Sequence, residues 1–133
     1  MKSYQGHRAK SGDAQVYVVQ SDGTAEALPT RLDLQNHSPD GFEWGYSGSG
    51  PAQLALAILA DALKASVRKN RSDWFDEAED DPRTVAVRLH QFFKREFIAG
   101  LARDRQWTIT EETVKSWIAR ALKQEKIDVD RDA

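Results

Sequence analysis

The sequence predicts an α+β domain in which a small N-terminal antiparallel β-sheet packs on about three α-helices, with an Ala/Leu-rich helix at the centre. Three observations carry this reading. Residues 14–19, Ala-Gln-Val-Tyr-Val-Val, are β-branched and aromatic with partial alternation, between turn-forming Gly12-Asp13 and Ser21-Asp22-Gly23-Thr24. Residues 52–65, AQLALAILADALKA, are apolar nearly all round from 54 to 60, as in a helix buried on most sides. Two later stretches repeat apolar residues at intervals of three and four.

The elements follow in chain order. Tyr4-Gln5-Gly6-His7 reads as a first strand, residues 14–19 as a second, and Glu26-Ala27-Leu28 as a third that Pro29 ends or holds at an edge. Together they predict a meander over residues 3–30, with Asp22-Gly23 supplying the positive φ of a tight turn. Residues 31–36 alternate Leu32 and Leu34 with polar residues and fit another short strand. His37-Ser38-Pro39-Asp40-Gly41 is a turn by composition. Phe42, Trp44 and Tyr46 alternate in a stretch that would lay all three rings on one face. Pro51 opens the central helix, which is expected to run to about residue 65. Trp74 and Phe75 interrupt an acidic run and are expected to anchor a short helical turn. Asp81-Pro82 starts the next helix, running to about residue 102 on Val85, Leu89, Phe92, Phe93, Phe97, Ile98 and Leu101. The last begins near Thr110, or two residues earlier if Thr108 and Glu111 form a capping box. Its stripe is Val114, Trp117, Ile118, Ala121 and Leu122.

One domain over residues 1–133 is expected, with a strand- and loop-rich part at 1–50, a helical part at 51–125 and a polar, frayed tail at 126–133. A chain of this length buries about two-thirds of its unfolded surface and needs no covalent staple. The absence of cysteine excludes disulfides, thiolate zinc sites, a Cys nucleophile and iron–sulfur clusters. No apolar run approaches the ~20 residues of a membrane span, and MKSYQGHRAK lacks the apolar core of a secretory signal. A soluble, cytoplasmic protein is therefore expected. The 19 basic and 21 acidic residues, net charge −2, argue against both a general polyanion binder and a wholesale DNA mimic.

Residues 38–57, SPDGFEWGYSGSGPAQLALA, resemble a family of uncharacterised small bacterial and phage proteins catalogued as a domain of unknown function, whose members share a GFEWGYxGSGPAQLALA-like stretch. The strand at Tyr4-Gln5-Gly6 and the later Phe93-Lys94 pair are similar to the family too; the acidic connection at residues 73–81 departs from it. The resemblance implies a prokaryotic or mobile-element origin and carries no activity with it, so function rests on the site.

The first candidate site is the stretch Trp44, Gly45, Tyr46, Ser47, Gly48, Ser49 and Gly50, a glycine-rich loop feeding a helix N-terminus. Exposed N–H groups and the positive end of a helix dipole suit an anion there. Three nucleotide or hydrolase signatures each fail on one position: Pro51 and Ala52 follow Gly50 where a P-loop needs Lys and Ser or Thr, Ser49 replaces the second Gly of a nucleophile elbow around Ser47, and Gln53 replaces the last Gly of a dinucleotide fingerprint. The plainer reading is a tight turn that seats a buried helix. Trp44 and Tyr46 could stack on bases or anchor a partner, or simply fill the core. His37, Asp40 and Glu43 beside the loop are secondary candidates for acid/base or metal chemistry. No second His lies near in sequence; His7 and His90 are isolated, and packing is the expected role of His90. The acids Asp73, Asp76, Glu77, Glu79, Asp80 and Asp81, after the basic Lys64, Arg68, Lys69 and Arg71, form a possible docking edge, or a solvated connection whose charges suit the adjoining helix ends.

The expected function is a small non-enzymatic interaction protein with a protein partner, most concretely an inhibitor of a host defence or replication complex. The alternatives are a ligand-binding or hydrolytic domain using the Gly-Ser loop, and a weak nucleic-acid binder. No cofactor, metal or membrane association is expected.

Overall fold

The computed structural model describes residues 1–70 and 76–132, with side chains through residue 130. The α+β architecture is as expected: among the described residues there are a four-stranded antiparallel sheet and three α-helices. The strands are β1 (Ser3–Arg8), β2 (Ala14–Val19), β3 (Ala25–Ala27) and β4 (Trp107–Thr110), in spatial order β3-β2-β1-β4. The helices are α1 (Ser49–Ala62), α2 (Pro82–Phe93) and α3 (Glu111–Asp132).

The first three strands are the meander read from residues 3–30. Its turns use Gly12 at φ +93° and Gly23 at φ +89°, and Asp22 accepts a hydrogen bond from the Thr24 N–H at 2.9 Å. The fourth strand was not expected. Trp107 and Ile109 point inward and Thr108 and Thr110 outward, and β4 pairs with β1 through Tyr4↔Ile109 and Gly6↔Trp107. Thr108 therefore belongs to a strand and caps nothing. The cap of α3 is Thr110, whose Oγ1 accepts from the Thr113 N–H at 3.1 Å. One sheet face carries Tyr4, Gly6, Val16, Val18, Trp107 and Ile109 and covers the core.

Gly6 is required by a close approach. A Cβ there would lie 2.3–2.5 Å from three indole atoms of Trp107. The Trp107 ring covers this gap and meets Trp44 edge to face, with centroids 5.5 Å apart.

α1 is the central helix; from Gly50 to Ala60 every residue is buried. It ends at Ala62, before the expected residue 65. Lys64 adopts the left-handed conformation at φ 54°, and its N–H returns to the Asp61 carbonyl at 3.1 Å. Arg31 stabilises the exit by donating to the carbonyls of Ala65 and Ser66 at 2.9 and 2.8 Å. Tyr4 Oη donates to Asp61 Oδ2 at 2.7 Å, and the Lys2 ammonium bridges Asp61 and Glu111, joining β1, α1 and α3.

Residues 31–36 form turns instead of a strand. The backbone on either side of this segment, and at Gln35 within it, is tied to α1 by Gln53, a fully buried side chain that reads as one polar break in an apolar helix. Its Oε1 accepts from the N–H groups of His37 and Ser38 at 2.8 and 3.2 Å, and its Nε2 donates to the carbonyls of Thr30 and Gln35 at 2.6 and 3.1 Å. All four bonds are made, so burial of the amide costs little.

Asp81 caps α2, accepting from the Arg83 N–H at 2.9 Å, with Pro82 in the first turn. The helix ends sooner than its periodicity suggests and passes into a π-helical turn, Lys94–Ile98. Phe97 stacks on Phe93 at 4.7 Å, and both rings meet Trp117 of α3 edge to face. The Trp117 indole N–H donates to Glu96 at 2.8 Å. Beyond residue 126, where a polar tail was expected, α3 continues through Asp132. Trp74 and Phe75, expected to anchor a helical turn, lie outside the described residues.

Candidate functional site

The Gly-Ser loop connects Phe42 and Trp44, both buried, to the start of α1. Trp44 is fully buried, so its indole is part of the core and presents no stacking surface. Phe42, Trp44 and Tyr46 do not share one fate: Tyr46 turns outward, 40% exposed, under the Arg103 guanidinium at 5.2 Å from its ring centre. Gly45 sits at φ +87° and donates its N–H to the Ile98 carbonyl at 3.1 Å. A Cβ at Gly50 would lie 2.6 Å from Glu43 Cβ. These two glycines thus serve contacts within the chain. Gly48 is the N-cap residue of α1 and supplies no side-chain cap. Ser47 and Ser49 are exposed and Gly48 is partly so.

The three secondary candidates do not meet. Glu43 is held by Arg8 in a two-pronged ion pair at 2.7 and 3.2 Å, and the same guanidinium lies over the Trp44 ring at 4.6 Å. The hydrogen bonds from Arg8 hold the Glu43 carboxyl below the ordinary carboxylate range. Asp40 is exposed. His37 faces another way and has a partner that the sequence conceals. Its Nε2 lies 3.0 Å from Nε2 of His90, 53 positions along the chain on α2, and 2.8 Å from the Gln35 side-chain oxygen. The expectation that His37 has no histidine neighbour and that His90 is isolated is therefore corrected. His90 is almost wholly buried and its Nδ1 faces the Val87 carbonyl. A carbonyl only accepts, so Nδ1 carries the hydrogen and Nε2 is bare. Burial lowers the His90 pKa to about 4, with the nearby His37 and Lys94 acting in the same sense against the Val87 bond. His37 is shifted down too, first by burial and then by Lys94. Among the described residues no cluster of three or more His, Cys, Asp or Glu could hold a metal ion.

The acidic run does not form one solvated edge. Asp76, Glu79 and Asp80 are exposed, and Asp81 is the N-cap of α2. Glu77 is buried, its side chain 2% exposed, and both its oxygens lie 2.6 Å from the Arg68 guanidinium; Thr84 donates to it at 2.8 Å. Asp73 lies outside the described residues. The local signal for the buried pair is weak, because Glu77 reads as one acid among six.

A further concavity was not foreseen. A groove of about 360 Å³ runs between α2 and α3, lined by Leu89, Phe92, Glu96, Trp117, Ala121 and Glu125 among others. Phe92, placed in the core by its helical spacing, is 52% exposed and carries Arg95 over its ring. Leu122 is 36% exposed, and Ile127 and Val129 farther along α3 are exposed too.

The fold and these surfaces define a small α+β domain whose acid/base candidates lie apart, Glu43 on Arg8, His37 on His90 and Asp40 exposed. Residues 4–79 match a family of unknown function, DUF6166, and the chain belongs to it. No curated protein and no solved structure matches the chain.

Proposed function

We propose that this chain is a small non-enzymatic interaction protein of bacterial or mobile-element origin that binds a protein partner through the groove between α2 and α3. The observation that carries the reading is the half-exposed Phe92 at a groove floored by apolar side chains. An aromatic ring beside a ready concavity is a common anchor for a partner's apolar segment. An acid/base site built from His37, Asp40 and Glu43 is disfavoured by their separation: Arg8 neutralises Glu43, and His37 faces His90. A nucleic-acid role is disfavoured because Arg8, Arg31, Arg68, Arg83 and Arg88 all pair with carboxylates. The origin rests on the resemblance of residues 38–57. Inhibition of a host defence or replication complex is the most concrete form of the role.

The test is capture from a bacterial lysate, with and without nuclease, comparing the wild type with folded Phe92→Glu and Ala121→Glu variants and with a Tyr46→Ala/Ser47→Ala variant. The expected result is a discrete, nuclease-insensitive protein lost only with the groove variants. Loss only with the Tyr46/Ser47 variant would move the interface to the Gly-Ser loop. Capture of nothing would overturn the interaction reading.

A further inference from the structure

We propose that His37, His90 and the side-chain oxygen of Gln35 form a binding site for a divalent transition-metal ion, zinc being the best match. Three donor atoms meet here from two separate parts of the fold. His37 and Gln35 stand on the turn segment before the Gly-Ser loop, and His90 stands on α2. The His90 nitrogen and the Gln35 oxygen lie 3.0 and 2.8 Å from His37 Nε2.

The hydrogen count at this point is short. Nε2 of His90 is bare because the hydrogen of that ring faces Val87. Gln35 Oε1 is an acceptor. His37 Nε2 can offer a single hydrogen to both. Three lone-pair atoms thus share one proton, and a cation in its place would satisfy all three, with the hydrogen of His37 moving to Nδ1.

The distances suit such an exchange. Two ligands of a tetrahedral zinc ion, each ~2.0–2.1 Å from the metal, stand about 3.3 Å apart, so the two imidazoles need separate by about 0.3 Å and the Gln35 oxygen must withdraw from His37 by about 0.5 Å. The supporting contacts are in place. The bond from His90 Nδ1–H to a backbone carbonyl orients and fixes the tautomer of that ring, as at many metal-bound histidines. The backbone of His37 is held by the buried Gln53 at 2.8 Å. His37 and Gln35 are partly exposed, so an ion has a way in from solvent.

The site is tested by titrating zinc into the untagged, chelator-stripped full chain near neutral pH, read by calorimetry and by equilibrium dialysis. One ion should bind per chain. His37→Asn, at a partly exposed position, should weaken binding at least ~10-fold, and His90→Gln should do the same where it folds. His7→Asn should leave binding intact. Absence of saturable binding, or binding that survives His37→Asn, would each overturn the proposal.

Discussion

Gly6 shows how one residue decides between opposed effects. Glycine inside a strand ordinarily costs roughly 0.5–1 kcal/mol relative to alanine. Here a Cβ would enter the Trp107 indole at 2.3 Å, and that ring is itself pinned against Trp44. The clash outweighs the entropy. Gly6→Ala is expected to lower stability by about 1–3 kcal/mol, measured by urea unfolding, where a neutral or stabilising result would show that the indole is free to move. Glu77 belongs to the same scale. Hydrogen bonds from Arg68 depress the carboxyl below the ordinary glutamate range, against a smaller opposing effect of burial. A folded-state pKa below the unfolded one means that the unfolded chain binds the proton first. The stabilisation is therefore present above the unfolded glutamate pKa, and it is lost as pH falls through the depressed value. Glu77→Gln should cost roughly 1–3 kcal/mol at neutral pH, because the two-pronged, charge-assisted bond to the buried Arg68 is lost. It should also flatten the acid limb of a plot of melting temperature against pH. An unchanged acid limb would assign the acid sensitivity to other carboxylates.

Among the elements, those that were legible carry their signal locally. β2 has β-branched residues between glycine turns, α1 a proline start and an apolar circumference, and α2 the Asp81-Pro82 cap. β4 escaped because it is four residues long and adjoins α3. Thr108 and Glu111 have capping-box spacing, so the helical signal overwrote the alternation of Trp107 and Ile109. The π-helical turn escaped because Phe93, Phe97 and Ile98 keep helical spacing through it; the bond from the Ala99 N–H to the Lys94 carbonyl, five residues back, reveals the extra width. Leu32 and Leu34 alternate like a strand, yet the segment bonds to Gln53 and not to a neighbouring strand, a choice made by one buried amide. The candidate site was legible in part. The Gly-Ser loop does turn into the central helix, but the pairs Arg8–Glu43, His37–His90 and Arg68–Glu77 come from tertiary folding, and the first two join distant positions that no local pattern links.

At the scale of the molecule, the stretch matched to the family and the folded unit do not coincide. Residues 4–79 include β1, β2, β3 and α1, whereas α2, β4 and α3 lie beyond them. Phe93, Ile98, Trp107, Ile109, Val114, Trp117 and Ile118 complete the core from outside that stretch. A chain cut after residue 79 would leave β1 as a bare edge and α1 uncovered on the side where α2 packs. Such a fragment should show no cooperative thermal transition by circular dichroism. A sharp transition would mean that the first 79 residues hold a core of their own.

The pairing of β1 with β4 also has a consequence for synthesis on the ribosome. β1 leaves the exit tunnel well before its second neighbour, β4, which is encoded about a hundred residues later. Until residues 107–110 emerge, the nascent chain presents an open strand edge and an apolar helix with too little to cover it. Closure of the sheet is then a late event, and the growing chain is a natural client for whatever shields exposed apolar surface during translation.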